Sequence, residues 1–513
     1  MIVDDLTILA IVVPLIGGFL TPLMGMLGRK VGSPKVRDYF ALLVSIVTVV
    51  FMFYIGKAVI GQGQMLTYSL AGRLAPWGIN LAVDGFAFLA GLVGSSVTLV
   101  AVVYSLGFME QGHGLDKYYL LLLILSAGMI GVSFTGDIFN LYVFFEIMSL
   151  TSYGLVAYYR DGKALEGAFK YLVIGALGTV AILLGIGVLY GMVGTLNIAD
   201  LSVRLGAIQA ASGFTSPMMF ALGLFIAGFG IKIGMIPLHV WLPDAYQAAP
   251  SSITAAFAGG TAVVGVYALL RSTFMLFGAV DMSTIFVFLG FVSMIVGAFM
   301  ALVQTDLKRL LAYSGVSQMG YILVGVGVGG LGAGLIGVEG GLFHMLNNAI
   351  YKSLLFLCAG VIVYKVGTTD MDKLGGLSSE MPVTTLTFLI GALAIAGIPF
   401  FNGFASKLQI YFATLQVNPL FTIISVVISA LTLAYFLKAL GEVFLGQPTE
   451  EVKESIAESK SIPKKMLIPM VFLAFLCVLL GVLPQLGLEI VEPASEALLS
   501  RVEYVEEVLH AAI

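Results

Sequence analysis

Cysteine, histidine and charge are all scarce in this chain, and each shortage removes a class of function. Of 513 residues only two are cysteine, Cys358 and Cys477, and both fall inside long apolar runs. There is no CxxC pair, no ligand set for an iron–sulfur cluster and no disulfide framework. A G-x-x-x-x-G-K-[ST] phosphate loop is also missing, which argues against ATP as the driving force in this chain. No catalytic or redox centre is recognisable, and no cofactor or metal is expected here. Charged residues make up 11% of the sequence, where soluble domains carry roughly 25%. With a formal net charge of −4, nucleic acid is not an expected partner. No acidic cluster marks a sodium site, so the proton is the expected ion and sodium a further candidate.

What is abundant is apolar. Hydrophobic residues reach 59% and the mean hydropathy is +1.05, the composition of an integral membrane protein embedded in the lipid bilayer. Recurrent apolar runs of about 20 residues match helices crossing a roughly 30 Å hydrocarbon core. The alternating pattern of a membrane β-barrel is not seen. The fold class expected is an all-α membrane protein of about fourteen spans. Their approximate starts are Leu6, Tyr39, Asp84, Tyr118, Ile138, Ala168, Pro217, Ser251, Thr284, Leu310, Gly340, Thr384, Leu420 and Met466. The first five residues carry no basic stretch of the signal-peptide kind, so the first helix is expected to stay.

Basic residues gather in alternate loops: Arg29 to Arg37, Lys117, Arg160 and Lys163, Lys308 and Arg309, Lys365 and Lys373, and Lys453 to Lys465. These loops are expected to face the cytoplasm. The opposite loops hold Arg73, Arg204, Arg271 and Arg501, which places both termini outside for an even number of spans. His113 and His510 read as loop histidines. From Glu489 to His510 charged and apolar residues alternate as in an amphipathic C-terminal helix, lying on the protein's own outer face or docking a partner.

Two internal similarities divide the middle of the chain. The run Gly167-Ala-Phe-Lys-Tyr-Leu is similar to Asn348-Ala-Ile-Tyr-Lys-Ser-Leu-Leu, and the run from Met148 to Gly154 echoes that from Tyr313 to Gly320. Both pairs lie five spans apart. Five is odd, so equivalent helices run in opposite directions, as in an inverted repeat. The expected organisation is an N-terminal three-helix segment (1–117), a first repeat (118–276), a second repeat (277–445), and a last span with the amphipathic helix (446–513). Each repeat has an interrupted helix: Pro237 follows Lys232 in the first, and Gly397-Ile-Pro399 and Gly403 precede Lys407 in the second. Glycine and proline free backbone groups in mid-membrane only where protein or a hydrated cavity satisfies them.

Ionisable residues within spans are costly and by default mark an ion or substrate path. Glu146 sits in an aromatic run, with a lysine from another helix as its expected counter-ion. Lys232, Lys352 and Lys407 are the deepest lysines, and His344, Asn348 and Lys352 at four-residue spacing form one polar stripe. At an effective dielectric of 20 two unit charges attract by roughly 4 kcal/mol at 4 Å and roughly 1.7 kcal/mol at 10 Å. Moving one partner of a glutamate–lysine pair therefore loads or releases a proton. The pathway candidates are Glu146, Lys232, His239, His344, Lys352 and Lys407, with Lys170, Lys308, Asn348 and Lys438 as a second set. Each also has a bland reading: a static buried ion pair for Glu146 and Lys232, snorkelling for Lys170 and Lys438, helix orientation for Lys308, and a hydrogen-bonded neutral ring for His239.

The run GIKIGMIPLHVWLPDAYQAAPSSITA, from Gly230 to Ala255, closely resembles the signature of antiporter-like membrane subunits. These are shared by Mrp-type cation/proton antiporters, respiratory complex I and energy-converting membrane-bound hydrogenases. Glu146 in its aromatic setting, Asp306 to Gln318, His344 to Lys352, and Gly397 to Lys407 extend the resemblance over most of the chain. It implies fourteen core helices, two inverted five-helix repeats and a proton path along the middle of the membrane. Glu146 and Lys232 would then be the first half-channel pair, Lys352 with His344 the central relay, and Lys407 the outlet. Asn348 stands where some relatives have histidine, and the eighth span here lacks the lysine that some have.

Length favours the D-type subunit of Mrp antiporters over the longest complex I subunit. The resemblance thus implies a proton- or cation-translocating subunit of a multi-subunit complex in a prokaryotic plasma membrane, working with other membrane subunits. That complex is either an antiporter or a redox-driven oxidoreductase or hydrogenase, and a complex I-type pumping subunit is the nearer alternative. A self-sufficient transporter of an organic solute and a scaffold that has lost transport are rivals of another class.

Overall fold

The computed structural model describes residues 2–33, 35–109, 114–458 and 461–510. His113 and Lys460 lie outside them. Twenty-one helices account for most of the described chain. The first seven are α1 (Ile2–Lys30), α2 (Val36–Val59), α3 (Gly85–Phe108), α4 (Leu115–Phe134), α5 (Ile138–Val156), α6 (Gly162–Val193) and α7 (Ile198–Ser212). Then come α8 (Ser216–Ile233), α9 (Leu242–Ala248), α10 (Ser251–Ala256), α11 (Ala262–Phe277), α12 (Ala279–Leu302), α13 (Leu307–Val328) and α14 (Leu335–Val366). The last are α15 (Pro382–Ala396), α16 (Asn402–Val417), α17 (Pro419–Leu440), α18 (Glu450–Glu458), α19 (Lys464–Val482), α20 (Gln485–Leu499) and α21 (Arg501–His510).

Side chains that accept from the first free backbone N–H groups start several of these helices. Asp84 caps α3, Asp137 caps α5, Asp161 caps α6, Asn197 caps α7, Asp306 caps α13 and Asn418 caps α17. Among the described residues thirteen helical segments are long and apolar enough to cross a membrane, α10 and α11 counting as one through a π-helical turn at Phe257–Thr261. The shorter α15, continued by α16 beyond a break, supplies a further crossing. The expectation of fourteen spans is met in this way.

Three features depart from an all-helical reading with one amphipathic tail. A short hairpin, β1 (Leu66–Ser69) against β2 (Asn80–Val83), fills the connection before α3. The lateral helix α7 lies between α6 and α8. The C-terminal stretch forms two helices, α20 and α21, which pack on α3, α14 and α7 of the same chain.

A backbone clasp occurs twice. Before α5, Ile138 N–H donates to Leu196 C=O and Ile198 N–H to Gly136 C=O, each at 2.9 Å. Before α13, Leu307 N–H donates to Thr369 C=O at 2.9 Å and Met371 N–H to Thr305 C=O at 2.7 Å. Each clasp ties the turn preceding one span to the strand-like segment following the next. An odd number of crossings separates them, so they close opposite faces of the membrane domain.

The centre is α10–α11, wholly buried, packed against α14. A methyl group on Gly259 would collide with Ser353 Oγ and Ala349 C=O, so this close approach requires glycine. The π-helical turn at this point lets α11 pass α14 in a new register.

Candidate functional site

Helix α8 stops at Gly234 and α15 at Gly397, both in the left-handed conformation with φ +72° and +80°. Each stop leaves carbonyl groups without helical partners in the interior, and each is repaired by side chains. Trp241 Nε1–H donates to Ile231 C=O at 2.8 Å, and Ser293 Oγ accepts from Ile236 N–H at 3.1 Å. At the second break the Lys407 ammonium donates to Ile395 C=O at 2.9 Å and Ser429 Oγ to Ala396 C=O at 2.8 Å. Lys232 lies in the last turn of α8. Lys407 thus places its ammonium at the negative end of α15, whereas the Lys232 side chain leaves the last turn of α8 for hydroxyls of α5.

Burial of these groups is nearly complete: Lys232 is 7% exposed, Lys352 1% and Lys407 0%. Lys232 Nζ donates to Ser149 Oγ at 2.7 Å and Tyr153 Oη at 3.1 Å, with the rings of Phe145 and Tyr153 within 5.8 Å. Lys352 Nζ donates to Leu311 C=O at 2.6 Å and to Ser314 Oγ. Lys407 Nζ donates also to Ser429 Oγ at 2.9 Å and sits 4.5 Å from the centre of the Tyr321 ring. Among the described residues none of the three ammonium groups has a carboxylate within 4.0 Å. All their hydrogen bonds go to neutral oxygens.

Glu146 and Lys232 therefore do not form the direct contact of a static ion pair. Glu146 is half-buried on α5, within Coulombic reach of Lys232, while the ammonium points to Ser149 and Tyr153. Glu146, Ser149 and Tyr153 follow i, i+3, i+7 spacing on one face of α5. The carboxylate is displaced along that face by about one turn, which only helix rotation and packing determine.

On α14, His344, Asn347, Asn348 and Lys352 are at most 1% exposed. His344 Nδ1 lies 2.9 Å from Ser406 Oγ, and Nε2 lies 3.0 Å from Gln318 Oε1 and 3.3 Å from Tyr351 Oη. Neither polar atom of the Asn348 side chain has a protein partner, nor has either of Asn402, nor Asn347 Oδ1. Buried amides are satisfied by protein or by ordered water, so these positions suit water. Asn348 lines a small cavity with Lys352, Gly315, Met319, Tyr246 and Ile233, the residue next to Lys232. Eight residues separate His344 from Lys352, about 12 Å along a helix, too far for direct proton transfer. His239, in the bend between α8 and α9, is half-buried, 5.9 Å from the Tyr313 ring, and its Nδ1 has no protein partner.

The remaining candidates stand apart from this file. Lys170 Nζ pairs with Glu166 and with Asp244 Oδ2, each at 2.7 Å, and Arg309 pairs with Asp244 Oδ1 at 2.5 Å. Asp244 so bridges α6 to α13 in a large polar cleft on the face that carries the basic loops. Burial pushes the Asp244 carboxyl up, but hydrogen bonds from Lys170 and Arg309 outweigh it and hold it below the usual carboxylate range. Lys308 Nζ donates to Gln247 C=O at 3.1 Å and Ala249 C=O, closing the end of α9. Lys438 Nζ donates to Leu302 C=O at 3.3 Å and Gln304 C=O at 3.1 Å, closing the end of α12. Asp244 lay in the signature run yet carried no signal of its own. Arg271, counted above as a loop residue, is 1% exposed and paired with Asp84 at 2.5 Å.

A family model described as "NADH:quinone oxidoreductase/Mrp antiporter, TM" matches residues 135–432. This protein is 34% identical over 438 residues to NADH-quinone oxidoreductase subunit N of Desulforudis audaxviator, covering 82% of this chain and 85% of the relative. It is 31% identical over 516 residues to the D-type subunit of the Na(+)/H(+) antiporter of Alkalihalophilus pseudofirmus, covering 99% of each. It superposes on a chain of the membrane-bound sulfane sulfur reductase, an archaeal respiratory membrane complex, with a TM-score of 0.87, 30% identity and coverage of 98% and 99%. By family match, full-length similarity and fold, this chain belongs to the NADH:quinone oxidoreductase/Mrp antiporter transmembrane family.

Proposed function

We propose that this chain moves protons through the membrane as the ion-translocating subunit of a hetero-oligomeric complex, along Glu146, Lys232, Lys352, His344 and Lys407. The observation that carries this reading is the set of three buried ammonium groups bonded only to hydroxyl and carbonyl oxygens. An unpaired buried charge costs several kcal/mol. Lys308 is also buried and bonded only to carbonyl oxygens, but it stands at a helix start and closes the end of α9, whereas Lys232 and Lys407 lie beside the two helix breaks and Lys352 lies mid-span. A lysine held by neutral oxygens is tolerated with or without its extra proton, as a carrier requires. The unsatisfied amide of Asn348 supports a water step between the Lys232 and Lys352 regions.

Partner subunits follow from the lipid-facing side of α5. Phe139, Val143 and Leu150 are exposed, and Glu146 shares their stripe at i, i+4, i+7, i+11. A carboxylate facing hydrocarbon is unfavourable, and a polar partner helix over this stripe would shield it. The twin clasps support residues 118–276 and 277–445 as inverted repeats, and the basic loops support a plasma-membrane orientation with both termini outside. Exchange for sodium, and any redox driving force, belong to the assembled complex, since this chain resembles both antiporter and quinone-reductase subunits.

The test is proton movement in vesicles bearing the purified intact complex, comparing the native protein with Lys232→Ala and Glu146→Gln at matched assembly. Collapse of movement with assembly retained supports the file as the path. Native rates in Lys232→Ala would make the file structural and sink the proposal, and uptake of an organic solute by the chain expressed alone would favour the rival transporter.

A further inference from the structure

We infer that Ser406 is a positioning residue whose hydroxyl turns between His344 Nδ1 and Gly403 C=O, so that the buried ring is hydrogen-bonded both with and without its extra proton. This rests on the proton-relay reading of His344.

The geometry fixes the two ends of the ring differently. Nε2 lies 3.0 Å from Gln318 Oε1 and 3.3 Å from Tyr351 Oη, and with the Gln318 amide oxygen turned toward the ring Nε2 carries a hydrogen in either state and donates to both oxygens. The exchangeable position is then Nδ1, 2.9 Å from Ser406 Oγ. Ser406 Oγ has a second neighbour, Gly403 C=O at 3.3 Å. When the ring is neutral, Nδ1 is an acceptor and the Ser406 hydroxyl donates to it. When Nδ1 is protonated, the hydroxyl swings to Gly403 C=O and presents a lone pair to Nδ1–H. The covalent O–H of Ser406 stays intact and the imidazole need not rotate; the proton would reach and leave Nδ1 through ordered water, for which Asn347 Oδ1 and the unpartnered Asn402 side chain leave polar positions. At 0% exposure for both residues, bulk water is excluded from this exchange. The titratable or charged groups facing the ring are Tyr321 of α13, Lys407 of α16 and Tyr351 of α14 itself. The Tyr321 ring links the two groups, 5.5 Å from the His344 ring and 4.5 Å from Lys407 Nζ.

The experiment measures proton flux against pH in vesicles carrying the intact complex with Ser406→Ala, Ser406→Thr, Gln318→Leu and His344→Gln, each normalised to assembled complex. Ser406→Ala removes an acceptor for a charged donor, a larger loss than the donor to a neutral ring. Flux is expected to fall about tenfold or more, and the acid limb of the profile to move to lower pH by roughly 0.5–1 unit. Ser406→Thr, which keeps the hydroxyl, should restore both rate and profile. A native rate and profile in Ser406→Ala overturn the inference, as does Ser406→Thr behaving like Ser406→Ala while fully assembled. Should Ser406→Ala fail to assemble, Gln318→Leu decides, because it frees Nε2; a native profile there overturns the fixed arrangement and a lowered, shifted one upholds it. Native flux in His344→Gln would sink the relay reading itself, whereas a defect there beside a native Ser406→Ala sinks only the role of Ser406.

Discussion

Removing the Ser149 hydroxyl should cripple the first lysine of the file without disturbing the fold. Ser149 Oγ is 2.7 Å from the Lys232 ammonium, is 1% exposed, and shares the charge with a single further hydroxyl, Tyr153 Oη at 3.1 Å. A hydrogen bond to a charged group contributes about 1.5–3 kcal/mol. At about 1.4 kcal/mol per factor of ten, its loss lowers the population of the charged lysine at this position roughly 10- to 150-fold. Ser149→Ala deletes one buried oxygen and creates almost no cavity, so assembly should persist while proton flux in vesicles of the intact complex drops by about tenfold or more. The mechanism makes a stricter demand, because Ser149 acts through Lys232. In a Lys232→Ala background the added Ser149→Ala should have no further effect, giving a coupling as large as the single effect. Flux within twofold of native in Ser149→Ala combined with Tyr153→Phe would refute the reasoning, and so would effects of Ser149 and Lys232 that simply add.

Two further expectations concern charges outside the file. Asp244→Asn breaks the links from α6 and α13, but both pairs are partly exposed and screened by solvent, so the stability loss at pH 6 should be small. Since the Asp244 carboxyl is held below its ordinary range, the link contributes above that range and fades as pH falls below about 4. Thermal unfolding of native and Asp244→Asn complexes should converge there, and a gap unchanged from pH 6 to pH 3 would contradict the bridge. Arg271→Leu strands the Asp84 carboxylate and removes the guanidinium packed 4.9 Å from the Tyr504 ring. The expected cost is about 3–5 kcal/mol, read as earlier unfolding and faster proteolysis of α20–α21. Asp84→Asn added to it should recover part, and an Arg271→Leu protein as resistant as native would show the pair to be dispensable.

How much of this was readable beforehand varies by residue. The crossings, the two helix breaks and the buried lysines were legible, because apolar run length, Pro237 after Lys232, Gly397 with Pro399, and a charge inside an apolar run are all local signals. Ser149 was legible in principle, three residues from Glu146 on the same helical face, but a serine in an apolar run carries no cost that marks it. Asp244 carried no signal of its own and Arg309 read as a loop charge, while Lys170, Lys308 and Lys438 formed a second set of candidates beside snorkelling and helix-orientation readings. In the folded chain Lys170 becomes part of a bridge between α6 and α13, while Lys308 and Lys438 close helix ends. Arg271 looked like a loop cation because its span ends nearby, yet α21 folds back over it with Tyr504.

The sequence by itself determined that this is a polytopic membrane protein with interrupted helices and intramembrane lysines, since hydrophobic length and helix-breaking residues act within single segments. Only the tertiary structure decided what each ammonium touches: Ser149 and Tyr153 for Lys232 in place of Glu146, Ser314 for Lys352, and the severed end of α15 for Lys407. Those contacts depend on which helices adjoin and how each is rotated about its axis. Both are set by packing among nearly uniform apolar surfaces, on which a hydropathy pattern is silent.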